Sequence, residues 1–237
     1  MGKNGKKIAV KIYLPLREEH KYPAVIFSHG FGGNYRCLEH HGETIAGRGI
    51  ICFFFDFCGG GMESLSDGNM QEMTVMTEVS DLLEMYEYVS SREYVDANNI
   101  FLIGESQGGF VSAYVAAILK EKIKSLILWY PAFVIPDDSV KRLACGDNKV
   151  FGIELSPEYD KAAARIDIYA KIKDYSGPVY IIHGDLDDVV PIEYSIRAND
   201  TYANSDLLTI HGAGHGFEGQ DSVMVIEKSI DFIIKCH

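Results

Sequence analysis

Residues 101–110, FLIGESQGGF, decide how this chain folds, because an apolar segment runs directly into a serine flanked by glycines. Gly104 and Gly108 lie two positions before and two positions after Ser106, which is the G-x-S-x-G pattern of a sharp strand-to-helix turn. Side chains at those two positions would collide with the neighbouring strand or helix. The pattern therefore predicts that Ser106 is exposed at a strand end, where the first N–H groups of a helix face any oxyanion formed beside it.

A serine in this position is a nucleophile for acyl transfer only if a histidine takes its proton and an acid orients that histidine. The G-x-S-x-G turn resembles that of α/β-hydrolases, and in that family the acid follows the serine on a loop after a late strand. The apolar segment 178–182 is such a strand, and it runs into HGDLDDVVP at 183–191. Three aspartates compete for the role of the acid: Asp185, Asp187 and Asp188.

The base is expected one strand later, since the order along the chain is serine, acid, histidine. The apolar segment 207–210 ends in HGAGHGF at 211–217, where glycines leave an exposed loop for a histidine. We predict that His215 is the base. His211 lies at the strand end and is interpreted as a structural hydrogen-bonding residue.

These motifs resemble those of the α/β-hydrolase superfamily, and the resemblance covers nearly the whole chain. The sequence contains G-x-S-x-G-G, then H-G-x-x-D-x-x-V-P, then G-x-x-H-x-F. The family pattern implies that the acid is the fifth residue of the second motif, which is Asp187. Asp188 is then the second choice, and Asp185 is a loop-stabilising residue.

Hydrolysis through a tetrahedral intermediate also requires two donors for the oxyanion. The backbone N–H of Gln107, directly after the nucleophile, is the first expected donor. The second should come from a loop after an early strand, and the apolar segment 24–28 leads into the glycine-rich HGFGGN at 29–34. We predict that the N–H of Phe31 is the second donor.

The alternation of apolar strands and helical segments predicts an α/β fold with a mostly parallel, twisted sheet and helices on both faces. We expect a single α/β-hydrolase domain over residues 1–237. The segment of about 132–176 lacks a clear strand and is too long for a plain loop, which indicates a small inserted cap. The strands are expected at 8–14, 24–28, 49–55, 100–103, 124–130, 178–182 and 207–210, and the helices at 36–48, 73–90 and 110–120.

Composition excludes several classes of partner. The chain has 237 residues, 47% of them hydrophobic, and its formal net charge of −12 argues against nucleic acid as a partner, because phosphate binding needs a basic face. No apolar run is long enough for a membrane span, and no signal-peptide pattern follows the first residues, so we expect a cytoplasmic protein with no membrane partner. The five scattered cysteines are expected to be free thiols, and adjacent His40 and His41 lack the spacing of a metal site. The pattern leaves the oligomeric state open.

Within the superfamily, several fragments resemble those of bacterial cinnamoyl or feruloyl esterases: HGF at 29–31, DF at 56–57, NM at 69–70, MTV at 73–75 and GESQGG at 104–109. Two positions depart from that branch. Glu105 stands where histidine is common, and CGGG at 58–61 replaces a loop usually written Asn-Gly-His-Gly.

The resemblance implies a serine carboxylesterase that acts on hydroxycinnamoyl or other small esters, with the cap closing over an aromatic acyl group. An acidic cap residue, Asp138 or its neighbour Asp137, would accept a hydrogen bond from a phenolic hydroxyl, and Phe133 would form a pocket wall. The residues alone also allow a simpler interpretation, in which the two aspartates cap a helix that begins near Ser139.

Three alternatives to this function remain open at the level of sequence. The first is a peptidase or amidase of the prolyl oligopeptidase type, although such enzymes usually carry a propeller domain for which this chain has no room. The second is a thioesterase or lipase for aliphatic chains. The third is a catalytically silent ligand-binding protein with the hydrolase shape. None of the catalytic readings requires a metal or an organic cofactor.

Overall fold

The computed structural model of the protein describes residues 5–16 and 21–237. The strands of these residues are β1 (Val10–Tyr13), β2 (Tyr22–Ser28), β3 (Ile51–Phe55), β4 (Val95–Glu105), β5 (Ser125–Trp129), β6 (Lys149–Val150), β7 (Ile153–Glu154), β8 (Val179–Gly184) and β9 (Ser205–Ile210). The α-helices are α1 (Gly42–Ala46), α2 (Val75–Ser90), α3 (Ser106–Leu119), α4 (Ile135–Cys145), α5 (Pro157–Ala163), α6 (Ile168–Ile172), α7 (Glu193–Thr201) and α8 (Gly219–Cys236).

Within the described residues, seven strands form one sheet in the order β1-β3-β2-β4-β5-β8-β9. Only β1 runs antiparallel, to β3, and the other neighbouring pairs are parallel. The predicted mostly parallel α/β sheet is therefore confirmed. Because β4, β8 and β9 all run in the same direction, the loops that follow them meet at the same edge of the sheet.

The sheet separates two apolar cores, which is why its central strands are apolar at successive positions. In β2, Ala24 and Ile26 contribute to one core, and Val25 and Phe27 contribute to the other. The first core also contains buried side chains of α2, α3, α5, α6 and α7. The second contains buried side chains of α1 and α8. Helices therefore cover both faces, as predicted.

Several boundaries differ from the sequence prediction. The helix expected at 36–48 is instead two 3₁₀ turns, Tyr35–Cys37 and Glu39–His41, followed by the short α1. Gly42 lies so close to the ring of Tyr13 that a Cβ would overlap it, so this segment is shaped by contact with β1. The helix predicted at 110–120 begins at Ser106 instead. Gly108 and Gly109 are poor helix formers in isolation, but both are buried in the first turn of this helix, where packing outweighs their low propensity.

The segment between β5 and β8 contains α4, α5 and α6 and also a short hairpin of β6 and β7 that the sequence did not indicate. Helix α4 begins at Ile135, with Pro136 in its first turn, and not near Ser139. The interpretation of the two aspartates as capping residues was therefore wrong, because Asp137 and Asp138 lie inside the first turn of the helix. The single predicted domain over 1–237 includes residues 1–4 and 17–20, which lie outside the described residues.

The turn at Ser106 has the strained geometry that the glycine pattern predicts. Ser106 has a φ of 50°, a left-handed conformation that is uncommon for residues other than glycine. A Cβ at Gly104 would collide with the carbonyl of Gly108, and a Cβ at Gly108 would collide with the carbonyls of Ser28 and His29. The absence of both side chains lets helix α3 begin directly against β2 and β4.

Replacing Gly108 with alanine should destabilise the fold, since the added methyl meets two backbone carbonyls that cannot move aside. We expect Gly108→Ala to lower the free energy of unfolding by about 3 kcal/mol. Gly214→Ala is the matched control, because a Cβ there meets only the Leu186 carbonyl oxygen at 3.8 Å. The control should stay within about 0.5 kcal/mol of the wild type in urea denaturation. Equal stability of the two variants would contradict the packing argument.

Candidate active site

Three side chains from three different loops form a continuous hydrogen-bonded series at the carboxyl edge of the sheet. Ser106 lies at the junction of β4 and α3, Asp187 lies after β8, and His215 lies after β9. The Ser106 Oγ is 3.0 Å from His215 Nε2, and His215 Nδ1 is 2.7 Å from Asp187 Oδ2. Both distances are within hydrogen-bonding range, so the structure brings together the serine, the base and the acid named from the sequence.

The carboxylate of Asp187 is buried and accepts hydrogen bonds at both oxygens. Its Oδ1 accepts from the backbone N–H groups of Val189 at 2.9 Å and Val190 at 2.8 Å. Its Oδ2 faces His215 Nδ1 at 2.7 Å and His183 Nε2 at 3.1 Å. Burial raises the pKa of Asp187, but the hydrogen bonds from His183, His215 and Val190 outweigh it and hold the pKa below its ordinary value. The acid is therefore an anion that fixes the His215 ring.

His183 supports this carboxylate and was not singled out by the sequence analysis. Its ring is fully buried, with Nε2 2.8 Å from the carbonyl oxygen of Val190 and Nδ1 2.7 Å from the Ser195 hydroxyl. Since Nε2 faces two acceptors, it carries the proton, and Nδ1 accepts from Ser195. The signal was present in the sequence, because His183 is the first residue of the same motif that contains Asp187.

The competing residues lie elsewhere. Asp188 is exposed and makes no hydrogen bond to His215. Asp185 accepts from His211 Nδ1 and, at 2.7 Å, from the backbone N–H of Gly212. Asp185 and His211 thus connect the loops after β8 and β9 without contacting Ser106.

Phe31 and Gln107, whose backbone N–H groups were named as oxyanion donors, line the same cavity as Ser106. Gln107 is the second residue of α3, where the backbone N–H has no acceptor within the helix. The N–H of Phe31 has no hydrogen-bond acceptor among the described residues. The arrangement leaves two donors in the cavity beside Ser106 for an oxygen of a bound molecule.

The side chain of His29 positions the loop that contains Phe31. The sequence analysis assigned this histidine no role. The buried His29 ring contacts the Gly30 carbonyl oxygen through Nδ1 at 2.8 Å and accepts from the Phe57 N–H through Nε2 at 3.2 Å. Burial lowers the pKa of His29, so the ring is neutral and can accept that bond. A further bond joins the N–H of Gly32 to the Gly60 carbonyl at 3.0 Å.

The side chain of Gln107 connects helix α3 to two other elements. Its Nε2 donates to Glu78 Oε2 of α2 at 2.8 Å, and its Oε1 accepts from the Tyr159 hydroxyl of α5 at 2.5 Å. All three residues are buried, and burial raises the pKa of Glu78 well above its ordinary value. The residue whose backbone faces the cavity is thus fixed through its side chain.

The cavity beside Ser106 has a volume of about 310 Å³. Its apolar part includes Val134 and Ile135, and its polar part includes Asp138, Arg142 and Lys149. Arg142 pairs with the buried carboxylate of Asp160, with Nη2 2.6 Å from Oδ1, so its position is fixed. The cavity therefore combines an apolar wall with both acceptor and donor groups.

The two substrate-binding residues expected from the resemblance lie in different places. Asp138 lines the cavity and pairs with Lys141 at 2.9 Å. Phe133 is buried in the apolar core against the rings of Phe110 and Tyr169, and it is not among the residues that line the cavity. Asp137, the neighbour of Asp138, accepts from the Tyr194 hydroxyl at 2.7 Å.

Over residues 5–16 and 21–237, no group of three or more His, Cys, Asp and Glu side chains is arranged to hold a metal ion. The ring of His41 is buried against Trp129, and burial lowers its pKa to about 4. In the same part of the chain, no helix combines the length and apolar character needed to cross a lipid bilayer.

The pKa of Asp187 predicts a pH dependence of stability. Its folded pKa lies below the ordinary value of 3.8, so its contribution is present above about pH 4 and is lost as the pH falls further. We expect the melting temperature of the wild type to exceed that of Asp187→Asn near neutral pH, and the difference to shrink between pH 4 and pH 2. Asp188→Asn should follow the wild type at every pH. A difference between wild type and Asp187→Asn that is independent of pH would contradict the assignment.

Similar proteins were found by sequence and by structure. Est1E from Butyrivibrio proteoclasticus, in a structure with ferulic acid bound, superimposes with a TM-score of 0.86 at 27% identity, over 98% of this chain and 96% of that chain. Human palmitoyl-protein thioesterase ABHD10, a mitochondrial protein, is 24% identical over 90% of this chain and 74% of its own length. A Mycoplasma pneumoniae protein that carries the name esterase/lipase 2 is 30% identical, but the match spans 50% of this chain and 40% of that protein.

The likeness to Est1E confirms the α/β-hydrolase fold, because it extends over nearly the whole of both chains. The sequence profile of the prolyl oligopeptidase family matches residues 38–237, a range that includes the serine, the acid and the histidine described above. This chain therefore belongs to the prolyl oligopeptidase family of α/β-hydrolases, and it resembles the serine esterases of that fold.

Proposed function

We propose that this protein is a serine carboxylic-ester hydrolase that works through an acyl-enzyme, with hydroxycinnamoyl esters of the feruloyl type as its preferred substrates. The observation that carries the proposal is the series from Ser106 through His215 to Asp187, with spacings of 3.0 and 2.7 Å, which opens into a cavity of about 310 Å³. Such a series activates a hydroxyl for attack on a carbonyl carbon.

In the first half of the reaction, Ser106 Oγ attacks the ester carbonyl carbon while His215 Nε2 accepts the hydroxyl proton. Asp187 stabilises the imidazolium that forms, and the N–H groups of Phe31 and Gln107 donate to the oxyanion. The tetrahedral intermediate then collapses, and the bond to the alcohol oxygen breaks as His215 returns the proton to that oxygen. An acyl-enzyme on Ser106 and a free alcohol result.

In the second half, a water molecule attacks the acyl carbonyl and gives its proton to His215. Collapse of the second intermediate releases the carboxylic acid and restores the Ser106 hydroxyl. The anionic Asp187, held by His183 and by two backbone N–H groups, keeps the ring of His215 in one orientation through both halves. The sequence of steps requires no cofactor.

The size and lining of the cavity support a small acyl group. A volume of about 310 Å³ is at the lower end of the range for ligand pockets. We propose that residues 132–176 form a cap over this group, since α4, the β6–β7 hairpin and α5 all contribute lining residues. The structure of Est1E contains ferulic acid, which is the acyl half of a feruloyl ester.

Asp138 is the proposed acceptor for a phenolic hydroxyl at the far end of the acyl group. It lies on α4 one turn before Arg142, and both residues line the cavity. A carboxylate and a donor in the same cavity match a hydroxyl, which both donates and accepts. An unsubstituted cinnamoyl or aliphatic group has no hydroxyl for these bonds and would make neither of them.

A second candidate function is hydrolysis of a thioester with an aliphatic acyl chain. It is favoured by the relative named palmitoyl-protein thioesterase, which matches 90% of this chain. The same nucleophile and base would serve, and the difference would lie in the length of the acyl chain that the cavity accepts.

The catalytic assignment predicts that Ser106→Ala abolishes hydrolysis of p-nitrophenyl acetate, with a loss in kcat of at least about 10⁴-fold. Asp187→Asn should cost about 10⁴-fold, because the imidazole loses its orienting anion, whereas Asp188→Asn should change the rate little. The control Ser91→Ala removes an exposed hydroxyl at the end of α2 and should leave kcat unchanged.

A fluorophosphonate probe should label the wild type and not Ser106→Ala. Retained turnover in Ser106→Ala would exclude the mechanism, and an unlabelled wild type would indicate a silent binding protein.

The substrate proposal predicts the order of kcat/KM values in a panel. Methyl ferulate should exceed p-nitrophenyl esters of long aliphatic acids, a palmitoyl thioester and a peptide p-nitroanilide. Asp138→Asn should raise KM for methyl ferulate about 10-fold, as expected for a lost hydrogen bond to a charged group, and leave methyl cinnamate unaffected. Asp137→Asn, one residue away, is the matched control and should change neither. A higher rate with the palmitoyl thioester would favour the second candidate, and a higher rate with the anilide would favour a peptidase.

A further inference from the structure

The side chain of Glu105, directly before the nucleophile, makes two hydrogen bonds that the reaction as derived above does not use. Its Oε1 accepts from the backbone N–H of Gly30 at 3.2 Å. Its Oε2 accepts from the hydroxyl of Tyr130 at 2.6 Å. One carboxylate therefore joins the end of β4 to two other loops of the site.

The first of these bonds reaches the loop that holds the proposed oxyanion donor. Gly30 precedes Phe31 directly, and it lies so close to the nucleophile that a Cβ at Gly30 would be 3.3 Å from Ser106 Cβ. His29 holds the same loop on its far side through the Phe57 N–H. Glu105 holds it on the side of Ser106, so the spacing between the Phe31 N–H and the nucleophile depends on this carboxylate.

The second bond reaches the base. The ring of Tyr130 meets the His215 ring edge to face, with centroids 4.7 Å apart, and meets the Phe217 ring at 4.9 Å. Burial raises the pKa of Tyr130 well above its ordinary value, and Glu105 adds to that effect, so the hydroxyl stays protonated and donates. The Tyr130 ring thus forms a wall that limits rotation of the imidazole.

The backbone of Tyr130 is strained in the same way as that of Ser106. Its φ is 35°, which is an outlier for a bulky residue. Such strain persists only where surrounding contacts hold it, and it is concentrated at functional sites. Here the short bond to Glu105 and the bond from the Tyr130 N–H to the Ile182 carbonyl at 2.7 Å supply that hold.

We infer that Glu105 is a positioning residue for ester hydrolysis, which joins the oxyanion loop at Gly30 and the imidazole wall at Tyr130 into one hydrogen-bonded unit around Ser106. The inference rests on the proposed function, because it assigns Glu105 a role in that reaction. Glu105 acts through Gly30 and Tyr130 and does not touch the substrate. It affects the transition state, in which the donor and the imidazole must both be in place, more than it affects the binding of the ester.

The test measures kcat and KM separately for hydrolysis of p-nitrophenyl acetate and methyl ferulate. Glu105→Ala should lower kcat about 10²-fold, the effect expected when a catalytic group is misplaced by about 1 Å, with KM changed by less than about threefold. Glu105→Gln should recover most of the rate, because its amide can accept from the Gly30 N–H and donate to the Tyr130 oxygen. Affinity for a trifluoromethyl ketone, which forms an oxyanion on Ser106, should fall in parallel with kcat/KM.

Coupling between Glu105 and Tyr130 is tested with Tyr130→Phe, which removes only the hydroxyl oxygen that donates to Glu105. Tyr130→Phe alone should lower kcat about fivefold, whereas in the Glu105→Ala background it should add nothing beyond about twofold. Tyr180→Phe and Glu121→Gln are the controls, since Tyr180 stacks on Phe232 near the start of β8 and Glu121 is exposed. Both controls should keep the kcat and KM of the wild type.

A kcat for Glu105→Ala within twofold of the wild type, or a loss confined to KM, would overturn the inference. A double variant whose loss in kcat equals the product of the losses in Glu105→Ala and Tyr130→Phe would overturn the coupling between these two residues. If Glu105→Ala does not fold, as judged by its melting temperature, an unchanged kcat and ketone affinity in Tyr130→Phe would overturn the inference in its place. Failure of the proposed function is distinct, because turnover by the wild type would then be absent or independent of Ser106.

Discussion

The left-handed backbone of Ser106 is the constraint on which the rest of the site depends. A residue with a Cβ at a φ of 50° carries strain of about 1–3 kcal/mol, which packing elsewhere has to offset. The offset comes from Gly104 and Gly108, which let β4 and α3 approach β2 until carbonyl groups fill the space where side chains would be. The same close approach places Ser106 at the start of α3, where its Oγ reaches His215 Nε2 and the N–H of Gln107 has no acceptor within the helix.

The second feature that shapes the site is the buried carboxylate of Asp187, which orients the ring of His215. A buried carboxylate is costly in an apolar interior, and Asp187 is stable there because four donors surround it. Two of those donors are backbone N–H groups of its own loop, and one is the buried ring of His183. The last donor is His215, so the ring that is hydrogen-bonded to Ser106 is oriented by a charge that the loop itself stabilises.

Much of this arrangement could be predicted from the sequence, because it follows from local patterns. Apolar runs and glycine punctuation located the strands, and parallel strands require that the loops after β4, β8 and β9 meet at one edge. Long-range packing was not predictable in this way. Nothing in residues 36–48 shows that Gly42 lies against the Tyr13 ring. Nor does this segment show that two 3₁₀ turns and the short α1 form in place of one helix. Phe133 is apolar and follows a strand end, as a residue of a pocket wall would. Its place in the core depends instead on contacts with Phe110 and Tyr169, which are distant in the sequence.

The bond between the Tyr159 hydroxyl and the side chain of Gln107 has a consequence for how molecules reach the cavity. Lifting α5 away from α3 would leave a hydroxyl and an amide oxygen unpaired in an apolar interior, at a cost of about 1–3 kcal/mol for each group. Among the residues that the structure describes, none makes such a bond to the tip of the β6–β7 hairpin, where Phe151 is 73% exposed. Displacing the hairpin tip therefore breaks fewer buried hydrogen bonds than lifting α5 away from α3.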